Sequence, residues 1–507
     1  MKFLPLLFTL ALCAHAEGAP VLELRGWIGD FGGDAGPPSA ATADDTQIYL
    51  GWSLATANAD AIVACDTAGN VRWTCRRGPV SGCRALAVDN GLVYVLGGEG
   101  RDADGRAIFR LSATNGAPVP WPDGRIDLRI VSLWPPKGDY KPDVAYYMAA
   151  KNGRIYVSFT HGQFVAILDA KTGAYLQTIV GAPPGPVAAV PTRADVPGKP
   201  GKLIDADFLA TSLSGGAIGK VLLAHDPIWV LASELAPLQW DQRIAAMTVI
   251  GDAGKYHPGD LFVAFAAPWN QVQACSAVEC ERVTYLAGTA GGRFPRGPLQ
   301  AGRMDDIRAI ALDGSGQLWA AEGNSTPGRI SVWTTDAPHG QLAREFFSPP
   351  DPSSPVAVDP LDPSLIFAGG CEWRIFYKAG PARCLGVVTR QPLRSARYAV
   401  KNGIRFLVLT PCVGPDIVFE RFGNGDYRPW FGSVPPPQPP AFHLLLAPPG
   451  QWRVADARGA LSATLLDPTM GAAHPVLTQS ANGRLFITAA AGRTWIFELI
   501  GLRATAP

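Results

Sequence analysis

The sequence has almost no excess of charge of either sign. It contains 44 Lys and Arg residues against 43 Asp and Glu residues, and only 17% of the chain is charged. A near-neutral chain has no general attraction to nucleic acid or to anionic membranes, so neither is expected as a partner. After residue 16, no apolar run approaches the roughly 18 residues that a membrane-spanning helix needs. No membrane span is therefore predicted.

Local motifs for catalysis or metal binding are also missing. The chain contains no H-E-x-x-H motif and no G-x-S-x-G motif. The glycine-rich stretches 29–36 and 288–297 are not followed by a predicted helix, so they lack the context of a phosphate-binding loop. Residues 102–105 begin like a calcium loop but have no Glu at its last position. We expect no cofactor and no metal site.

Residues 1–16 are typical of a signal peptide. Lys2 is followed by an apolar run over 3–13 and by Ala14-His15-Ala16, which matches an A-x-A cleavage site. We expect one domain over residues 17–507. The mature protein is expected to be exported, to the periplasm or outside the cell.

Removal of that segment leaves eight of the nine cysteines, an even number in an oxidising compartment. Disulfides are expected on this basis, because three pairs are close enough in sequence to cross-link a loop or hairpin. These pairs are Cys75 with Cys83, Cys275 with Cys280, and Cys371 with Cys384. The alternative is that several of them are buried free thiols, since cysteine is among the most buried residue types.

The chain does have a repeated strand pattern. Residues 152–173, NGRIYVSFTHGQFVAILDAKTG, combine an Asn-Gly turn with two segments of alternating apolar residues and a second turn between them. A third such segment follows over 174–180. A small antiparallel sheet of this kind cannot bury both of its faces alone, so it predicts neighbours of the same type.

The same turn-and-strand pattern recurs along the chain, mostly at intervals of about 40 to 65 residues, within or somewhat above the length of a four-stranded propeller blade. It occurs at 47–52, 92–97, 260–265, 317–322, 365–369, 405–410 and 484–489, with weaker copies near Lys220 and Gln451. Ten candidate repeats exceed the usual four to eight blades, so some are interpreted as insertions or half-blades.

These motifs resemble those of the quinoprotein-dehydrogenase-like and NHL-like β-propellers. The resemblance rests on residues 153–156 with 166–173, on 65–73 and on 311–319, and as a pattern it covers most of the chain. It implies an all-β propeller fold. From the number of repeats we expect a single β-propeller, with eight blades preferred and seven as the next choice. Such motifs specify a fold and not a chemistry.

The two ends of the chain are predicted to share the last blade. Residues 476–499 contain three strand-like segments, and Val21–Trp27 supplies a further strand that would cover the exposed edge. The proline-rich stretches 183–200, 349–355 and 435–440 are predicted to be loops, because proline cannot serve a central strand.

Arginine recurs where the inner strands of the predicted blades begin. In a propeller these positions lie on one face around the central funnel, and forked guanidinium groups suit carboxylate, phosphate or sulfate. The candidate ligand-binding residues of this set are Arg84, Arg243, Arg308 and Arg397. The alternative is that each arginine pairs with a neighbouring carboxylate and ties the blades together.

The loops that leave the second strands lie on the same predicted face and supply further candidates. Aromatic rings there could stack on sugars, and carboxylates or imidazoles could transfer protons. The candidate ligand-binding residues are Trp52, Trp269 and Asn324, and the candidate catalytic residues are Glu322, His161 and Glu99. Any one of these loop residues could instead be simply solvated.

Two further chemistries, a metal site built from histidines and quinone-dependent oxidation, are less favoured by the sequence. Six histidines are spread over six repeats, and the propeller lyases that resemble the peptidyl-hydroxyglycine amidating lyase bind a central metal through histidines, but these six occupy unlike positions. Quinone-dependent oxidation is disfavoured, because the cofactor-binding members of the resembled family carry adjacent cysteines and this chain has none.

The sequence therefore predicts an exported, monomeric propeller with a funnel-face site. The expected partner is an acidic or polyhydroxylated ligand, such as a uronate-bearing glycan, or a protein of the cell envelope. The alternative is a hydrolase or lyase acting on an acidic saccharide, with arginines that neutralise the acid group and a Glu or His that moves the proton. Whether the protein is an enzyme is left open by the sequence.

Overall fold

The structure is a computed structural model, and the statements below concern only the residues that it describes. These are 21–31, 36–53, 60–76, 80, 82–97, 107–122, 126–127, 145–159, 164–180, 185–196, 199–212, 218–224, 230–234, 243–250, 260–275, 282–323, 327–351, 353–422, 425–437, 442–446, 451–456, 461–466, 477–479, 485–490 and 493–500. The predicted signal peptide lies outside them.

Short β-strands make up the regular structure throughout. The first are β1 (Val21–Ile28), β2 (Ala40–Ala43), β3 (Gln47–Gly51), β4 (Asp60–Asp66), β5 (Val71–Arg76), β6 (Ala85–Asp89), β7 (Leu92–Gly97), β8 (Ala107–Ser112), β9 (Ile126–Asp127), β10 (Ala145–Lys151), β11 (Arg154–Phe159), β12 (Phe164–Asp169), β13 (Tyr175–Val180), β14 (Val187–Val196), β15 (Lys199–Ser212), β16 (Ile218–Ala224), β17 (Val230–Glu234), β18 (Ile244–Val249), β19 (Leu261–Phe265), β20 (Val272–Cys275) and β21 (Arg282–Ala287).

The remaining strands continue the pattern to the end of the chain. They are β22 (Gly297–Pro298), β23 (Ile307–Leu312), β24 (Leu318–Glu322), β25 (Arg329–Trp333), β26 (His339–Gly340), β27 (Leu342–Phe347), β28 (Val356–Val358), β29 (Leu365–Ala368), β30 (Cys371–Arg374), β31 (Arg383–Val387), β32 (Leu393–Lys401), β33 (Ile404–Pro411), β34 (Ile417–Arg421), β35 (Tyr427–Pro429), β36 (Phe442–Leu446), β37 (Gln451–Asp456), β38 (Leu461–Leu466), β39 (Leu477–Gln479), β40 (Leu485–Ala490) and β41 (Arg493–Ile500). No helix is present in the described part, and so none there could cross a bilayer.

These strands form ten sheets. In chain order they are sheet 1 (β2–β5), sheet 2 (β6–β9), sheet 3 (β10–β13), sheet 4 (β14–β17), sheet 5 (β18–β21 with β26), sheet 6 (β23–β25 with β27), sheet 7 (β28–β31 with β22), sheet 8 (β32–β35), sheet 9 (β36–β38) and sheet 10 (β39–β41 with β1). Each of the ten recurring sequence motifs falls in a different sheet. None of the ten is an insertion or a half-blade without its own sheet.

Sheets 1 to 6 surround a common cavity, and we call them the six-sheet ring. Their first strands β2, β6, β10, β14, β18 and β23 contact one another in this order, and β23 also contacts β2. Apolar clusters lie between each neighbouring pair, and the cluster that contains Trp52 and Trp319 joins sheet 1 to sheet 6. This burial satisfies sheets that are apolar on both faces.

The other four sheets lie outside this succession. Sheets 7 and 8 pack through a cluster that contains Phe367 and Phe419. A second cluster, with Phe347, Trp373 and Ile496, joins sheets 6, 7 and 10. The architecture is thus all-β and propeller-like, whereas a single ring of eight or seven blades is not shown.

The two ends of the chain meet in sheet 10. β1 pairs antiparallel with β41, with Val21 opposite Ile500 and Ile28 opposite Thr494. This pairing confirms the prediction that the N-terminal strand completes the last sheet and covers its edge.

The proline-rich stretch 183–200 is not a loop throughout, contrary to expectation. β14 and β15 form a long hairpin that includes Pro191 and Pro200. Proline is tolerated because β14 is the edge strand of its sheet, where a missing N–H group breaks no ladder. The other two stretches are loops where described, at 349–351, 353–355 and 435–437.

Cys75, Cys83, Cys371 and Cys384 are free thiols, so the predicted disulfides Cys75–Cys83 and Cys371–Cys384 are wrong. These four side chains are buried and fill space inside the apolar clusters. Burial also raises the pKa of the Cys83 thiol, which keeps it protonated and unreactive. Cys280 lies outside the described residues.

Candidate functional site

The six-sheet ring encloses a cavity of about 960 Å³. Its wall consists of the first strand of each sheet, over residues 39–45, 84–91, 146–151, 186–191, 245–250 and 308–314 except 311. We call the end at which these strands begin the mouth and the opposite end the exit. Because each first strand is an edge strand, its free N–H and C=O groups face the cavity, which makes the wall polar.

Short side chains keep this cavity open. Every one of the six first strands contributes alanine to the wall, at Ala41, Ala87, Ala149, Ala189, Ala246 and Ala309. The space between the strands is therefore not filled by the strands themselves, in contrast to small barrels whose interiors are packed with side chains.

Three first strands carry an irregularity close to the mouth. The register between the first and second strands shifts by one residue at Tyr146, Ala245 and Arg308. A bulge of this kind re-aims the inserted side chain relative to the regular alternation. The bulges therefore give Tyr146 and Arg308 a direction that a regular strand would not provide.

Arg84 and Tyr146 form the first arginine–tyrosine pair at the mouth. The guanidinium carbon of Arg84 lies 4.0 Å from the centre of the Tyr146 ring, and both residues line the cavity. The pair joins sheet 2 to sheet 3. A planar cation over an aromatic face is a favourable contact that leaves the positive charge in place.

Arg243 and Tyr147 form a second pair, which links sheet 5 to sheet 3. Burial raises the pKa of the Tyr147 hydroxyl, and the charge and hydrogen bond of Arg243, with the charge of Arg84, partly offset this rise. The backbone C=O of Arg243 accepts from Ala266 N at 2.8 Å, which fixes the start of β18 to the end of β19. Two arginines of different sheets thus act on one phenol.

Arg308 is the third arginine at the mouth and also lines the cavity. Its guanidinium lies 3.5 Å from the carboxylate of Asp306, and both side chains are partly exposed, at 33% and 39%. The Arg308 side chain crosses Gly323, where an added Cβ would overlap its Nε, Cδ and Cγ atoms. The position of Arg308 therefore depends on glycine at 323.

Trp269 lies on the rim of sheet 5, after the second strand, as the sequence predicts for the mouth side. Trp269 is 41% exposed. Its backbone N–H donates to Ala266 O at 3.2 Å, and Ala266 N in turn donates to Arg243 O. An exposed indole close to the start of β18 is a suitable surface for stacking a sugar ring.

The exit has carboxylates, but they serve the turns there. Asp44 accepts from Gln47 N at 2.8 Å, Asp89 from Gly153 N at 2.8 Å, and Asp313 from Trp319 Nε1 at 2.8 Å. Asp44 caps its own turn, the ordinary role of aspartate between strands. Asp89 holds a turn of the next sheet, and Asp313 holds the indole of Trp319. The basic side chains at the mouth and the turn-bound acids at the exit give the cavity two different ends.

Two predicted site residues are part of the core. Glu322 is fully buried and accepts from Arg329 Nε at 2.9 Å and from Ser331 Oγ at 2.6 Å. Trp52 is 2% exposed and donates through Nε1 to Gly36 O at 3.0 Å. Burial and these bonds give both residues a structural role here, which corrects the expectation that they face a ligand.

The remaining predicted residues do not join the cluster at the mouth. Arg397 lies in β32 of sheet 8, opposite Val408, and so outside the six-sheet ring. His161, Glu99 and Asn324 lie outside the described residues. Ligand binding by Arg84, Arg243, Arg308 and Trp269 stays a prediction, and the structure brings these four to one side of the ring.

The two tyrosines of the mouth were not among the residues singled out in the sequence. The signal that could have found them is their position, because Tyr146 occupies in β10 the bulge site that Arg308 occupies in β23. A search restricted to arginine at that repeat position overlooks its aromatic partner.

Comparison with known proteins adds little to this picture. No protein-family model and no curated protein matches the chain. BamB from Moraxella catarrhalis is 9% identical, covering 96% of this chain and 99% of that chain, with a TM-score of 0.28. The Kuenenia stuttgartiensis hydrazine synthase is 12% identical, covering 70% and 96%, with a TM-score of 0.37. At these TM-scores neither likeness supports an argument about the site.

Metal binding has no support among the described side chains. No three His, Cys, Asp or Glu residues come together there in a way that could hold an ion. Of the six histidines spread over the repeats, His339 is exposed in β26, on the outer side of sheet 5.

Proposed function

We propose that residues 39–347 form a six-bladed propeller whose mouth binds an anionic, polyhydroxylated ligand, with a uronate-bearing glycan as the best-fitting class. The observation that carries this proposal is that Arg84, Tyr146 and Arg308, from three different sheets, line one open cavity. Guanidinium forks recognise carboxylates in a planar, two-bonded geometry. Tyr146 and Trp269 are 39% and 41% exposed and offer faces for sugar rings.

The polar wall of the cavity supports the proposal that the ligand is polyhydroxylated. Edge strands present backbone donors and acceptors to whatever occupies the cavity, and hydroxyl groups can satisfy both. An apolar ligand would leave those groups unpaired, at a cost of about 1–3 kcal/mol for each buried group. A hydrated, hydroxyl-rich ligand therefore fits this wall better than a hydrocarbon chain.

A second candidate function, a hydrolase or lyase on the same ligand class, is favoured by Asp306. This carboxylate lies 3.5 Å from Arg308 and is partly exposed, and its backbone has a left-handed φ of 47°. Such a conformation in a non-glycine residue is held by its surroundings and is enriched at functional sites. Asp306 would serve as the proton-transferring group beside an arginine that holds the acid.

The proposal is tested by binding measurements with a galacturonate trisaccharide and a neutral galactose trisaccharide. We expect the mature protein to bind the acidic probe and Arg84→Ala to weaken that binding about tenfold or more, the scale of a lost charged hydrogen bond. Arg397→Ala is the matched control, since Arg397 lies in sheet 8. Equal weakening by both variants, or equal binding of both probes, would contradict a specific acid site at the mouth.

The enzymatic alternative is separated by incubating the acidic probe with the protein and with Asp306→Asn. Product formation that Asp306→Asn abolishes would establish the hydrolase or lyase. Binding without any product would leave the binding function alone. Export to the periplasm or the cell exterior belongs to the same proposal, and cell fractionation checks it.

A further inference from the structure

β14 and β15 extend beyond the sheet to which they belong. β15 runs over Lys199–Ser212, but β16 pairs only with its second half, from Ala206 onward. The pairs Arg193–Asp205, Ala194–Ile204 and Asp195–Leu203 therefore lie outside the four-stranded part of sheet 4. We call residues 192–205 the arm. It leaves the ring at the exit, because Pro191 lines the cavity there.

The arm is an exposed two-stranded ribbon. The side chains of Arg193 and Asp205 are 70% and 72% exposed and lie 3.4 Å apart, and Leu203 is 56% exposed. Among the described strands, none pairs with the outer edge of β14 over 192–196. A ribbon of this kind has marginal stability on its own, and its free edge is a template for pairing with another strand.

The orientation of that free edge follows from Pro191. Pro191 is paired with Asp207 in β15 and has no N–H group, so its nitrogen fits best on the side that faces away from β15. Backbone groups alternate with a period of two residues along a strand. Residues 193 and 195 therefore share this orientation and present their N–H and C=O groups to the free edge.

We propose that the arm pairs with the arm of a second copy of this chain, β14 against β14, about a two-fold axis at Ala194. Antiparallel pairing about this axis places Arg193 opposite Asp195 of the partner subunit, and Asp195 opposite the partner's Arg193. Both positions carry outward backbone groups, so each opposed pair exchanges two hydrogen bonds. The interface is isologous, as expected for a closed dimer.

Charge fixes the register of this pairing. Moving the axis by one residue, to position 193 or 195, would place two arginines or two aspartates opposite each other, which is destabilising. Asp205 lies on the other side of Arg193, on the same face. The dimer thus has an alternating row of Asp205, Arg193 and Asp195 of the partner subunit, with the symmetric row beside it.

The test is sedimentation of the mature protein and its charge variants over a concentration series at low salt. We expect the wild type to form dimers, and Arg193→Asp or Asp195→Arg to raise the dimer dissociation constant on the order of tenfold or more, because each opposes like charges. The double variant Arg193→Asp with Asp195→Arg should restore dimers. A mixture of the two single variants should also dimerise, since each supplies the charge that the other needs.

Two controls separate this pairing from unfolding and from other contacts. Asp205→Asn removes the ion pair inside the arm but no contact across the axis, so its dimer should persist. Thermal unfolding should change little in all variants, because the altered side chains are exposed. Asp195 also accepts from Gly201 N at 3.0 Å inside the arm, so recovery of dimers in the mixture, and not the effect of Asp195→Arg alone, distinguishes pairing across the axis from a change inside the arm. A wild type that stays monomeric up to high concentration would overturn the proposal. Dimers that persist in both single variants, or a mixture that stays monomeric, would overturn it equally.

Discussion

Arginine occupies two different environments in this molecule, the interface between sheets 7 and 8 and the mouth of the six-sheet ring. At the interface, Arg421 donates to the Glu372 carboxylate at 2.5 and 3.0 Å, and Tyr427 adds a bond of 2.5 Å. At the mouth, Arg84 lies over a tyrosine ring and Arg243 bonds to a tyrosine hydroxyl. The first environment pairs arginine with a buried carboxylate, whereas the second holds arginine against tyrosine side chains in an open cavity.

This difference separates arginines that hold sheets together from arginines that can attract an anion. A buried guanidinium is retained only when a carboxylate compensates it, as Glu322 does for Arg329 within the ring. At the mouth, the Arg84 guanidinium instead lies over an aromatic face in an open cavity, where Arg84 is only partly removed from solvent. Arg308 lies between the two cases, because it lines the cavity and also pairs with Asp306.

The largest expected effect is the loss of the buried pair. Arg421→Met should lower the free energy of unfolding by about 3–5 kcal/mol, because it leaves the buried Glu372 carboxylate without its counter-charge. Glu372 is 1% exposed. Urea unfolding measures this change. Arg72→Met is the control, since Arg72 pairs with Asp66 on the surface with 59% of its side chain exposed, and should cost less than about 1 kcal/mol.

Equal losses of unfolding free energy in Arg421→Met and Arg72→Met would contradict the distinction between buried and exposed arginine pairs. Replacing both partners, with Arg421→Met and Glu372→Leu together, should recover part of the loss, because no charge then remains in the interface. Recovery should be incomplete, because the Tyr398 and Tyr427 hydroxyls then lose the carboxylate that accepts from them. A double variant that is less stable than Arg421→Met alone would show that these hydroxyl bonds contribute more than removal of the buried charge.

A smaller effect is expected where the ring meets sheet 10, at Asp30. Its N–H donates to Phe347 O at 2.9 Å and its carboxylate accepts from Phe347 N at 2.7 Å. Burial raises the pKa of Asp30 from 3.8 to about 6. The folded state therefore holds this proton more tightly than the unfolded chain does, so the stabilisation is complete below about pH 4 and is lost as the pH rises through 6.

The size of this loss is about 3 kcal/mol, from a pKa difference of roughly two units. Asp30→Asn cannot titrate and should lack this component. Unfolding free energies of both proteins between pH 4 and pH 7.5 measure it, as a difference that changes mainly between pH 4 and pH 6. Parallel curves for the two proteins would mean that Asp30 is not buried as described.

The repeat pattern predicted the individual sheets, but it did not predict which of them form a ring. All ten motifs fall in separate sheets, and the N-terminal strand pairs with β41. A single ring of eight blades is not shown, and every motif expected to be an insertion or a half-blade has its own sheet. Periodicity reports strands, whereas the closure of six sheets depends on contacts such as Trp52 with the Trp319 cluster, between residues far apart in sequence.

Site residues were predicted correctly only where their position in the repeat places them at the mouth of the ring. Arg84, Arg243 and Arg308 reach the mouth because they begin first strands of the ring. Arg397 has the same sequence position but belongs to sheet 8. Glu322 was expected in an open loop, yet it is the last residue of β24 and is buried against Arg329. One sequence alone does not reveal which carboxylates are already paired with an arginine.

The intermediate case, Arg308, is resolved by its effect on binding. If it acts on the ligand, Arg308→Ala should weaken binding of the galacturonate probe by about 1.5–3 kcal/mol, the scale of a charged hydrogen bond. Stability should change little, because its pair with Asp306 is partly exposed. Arg308→Lys should also bind weakly, since a lysine lacks the planar fork. Undiminished binding by a folded Arg308→Ala protein would place Arg308 with the structural arginines.

The smallest effect is expected from a variant that moves the Arg308 guanidinium without removing its charge. Gly323→Ala adds a methyl group where the Arg308 side chain crosses the backbone, so the guanidinium must move while its charge remains. We expect the galacturonate probe to bind about 1 kcal/mol more weakly, because a displaced fork loses part of its hydrogen bonding. Gly302→Ala is the matched control, since an added Cβ there meets nothing within 4 Å. Loss of binding in Gly323→Ala alone, measured by titration calorimetry, would show that the mouth depends on the placement of Arg308. Equal binding by Gly323→Ala and Gly302→Ala would show that Arg308 contributes only its charge and not a precisely placed guanidinium.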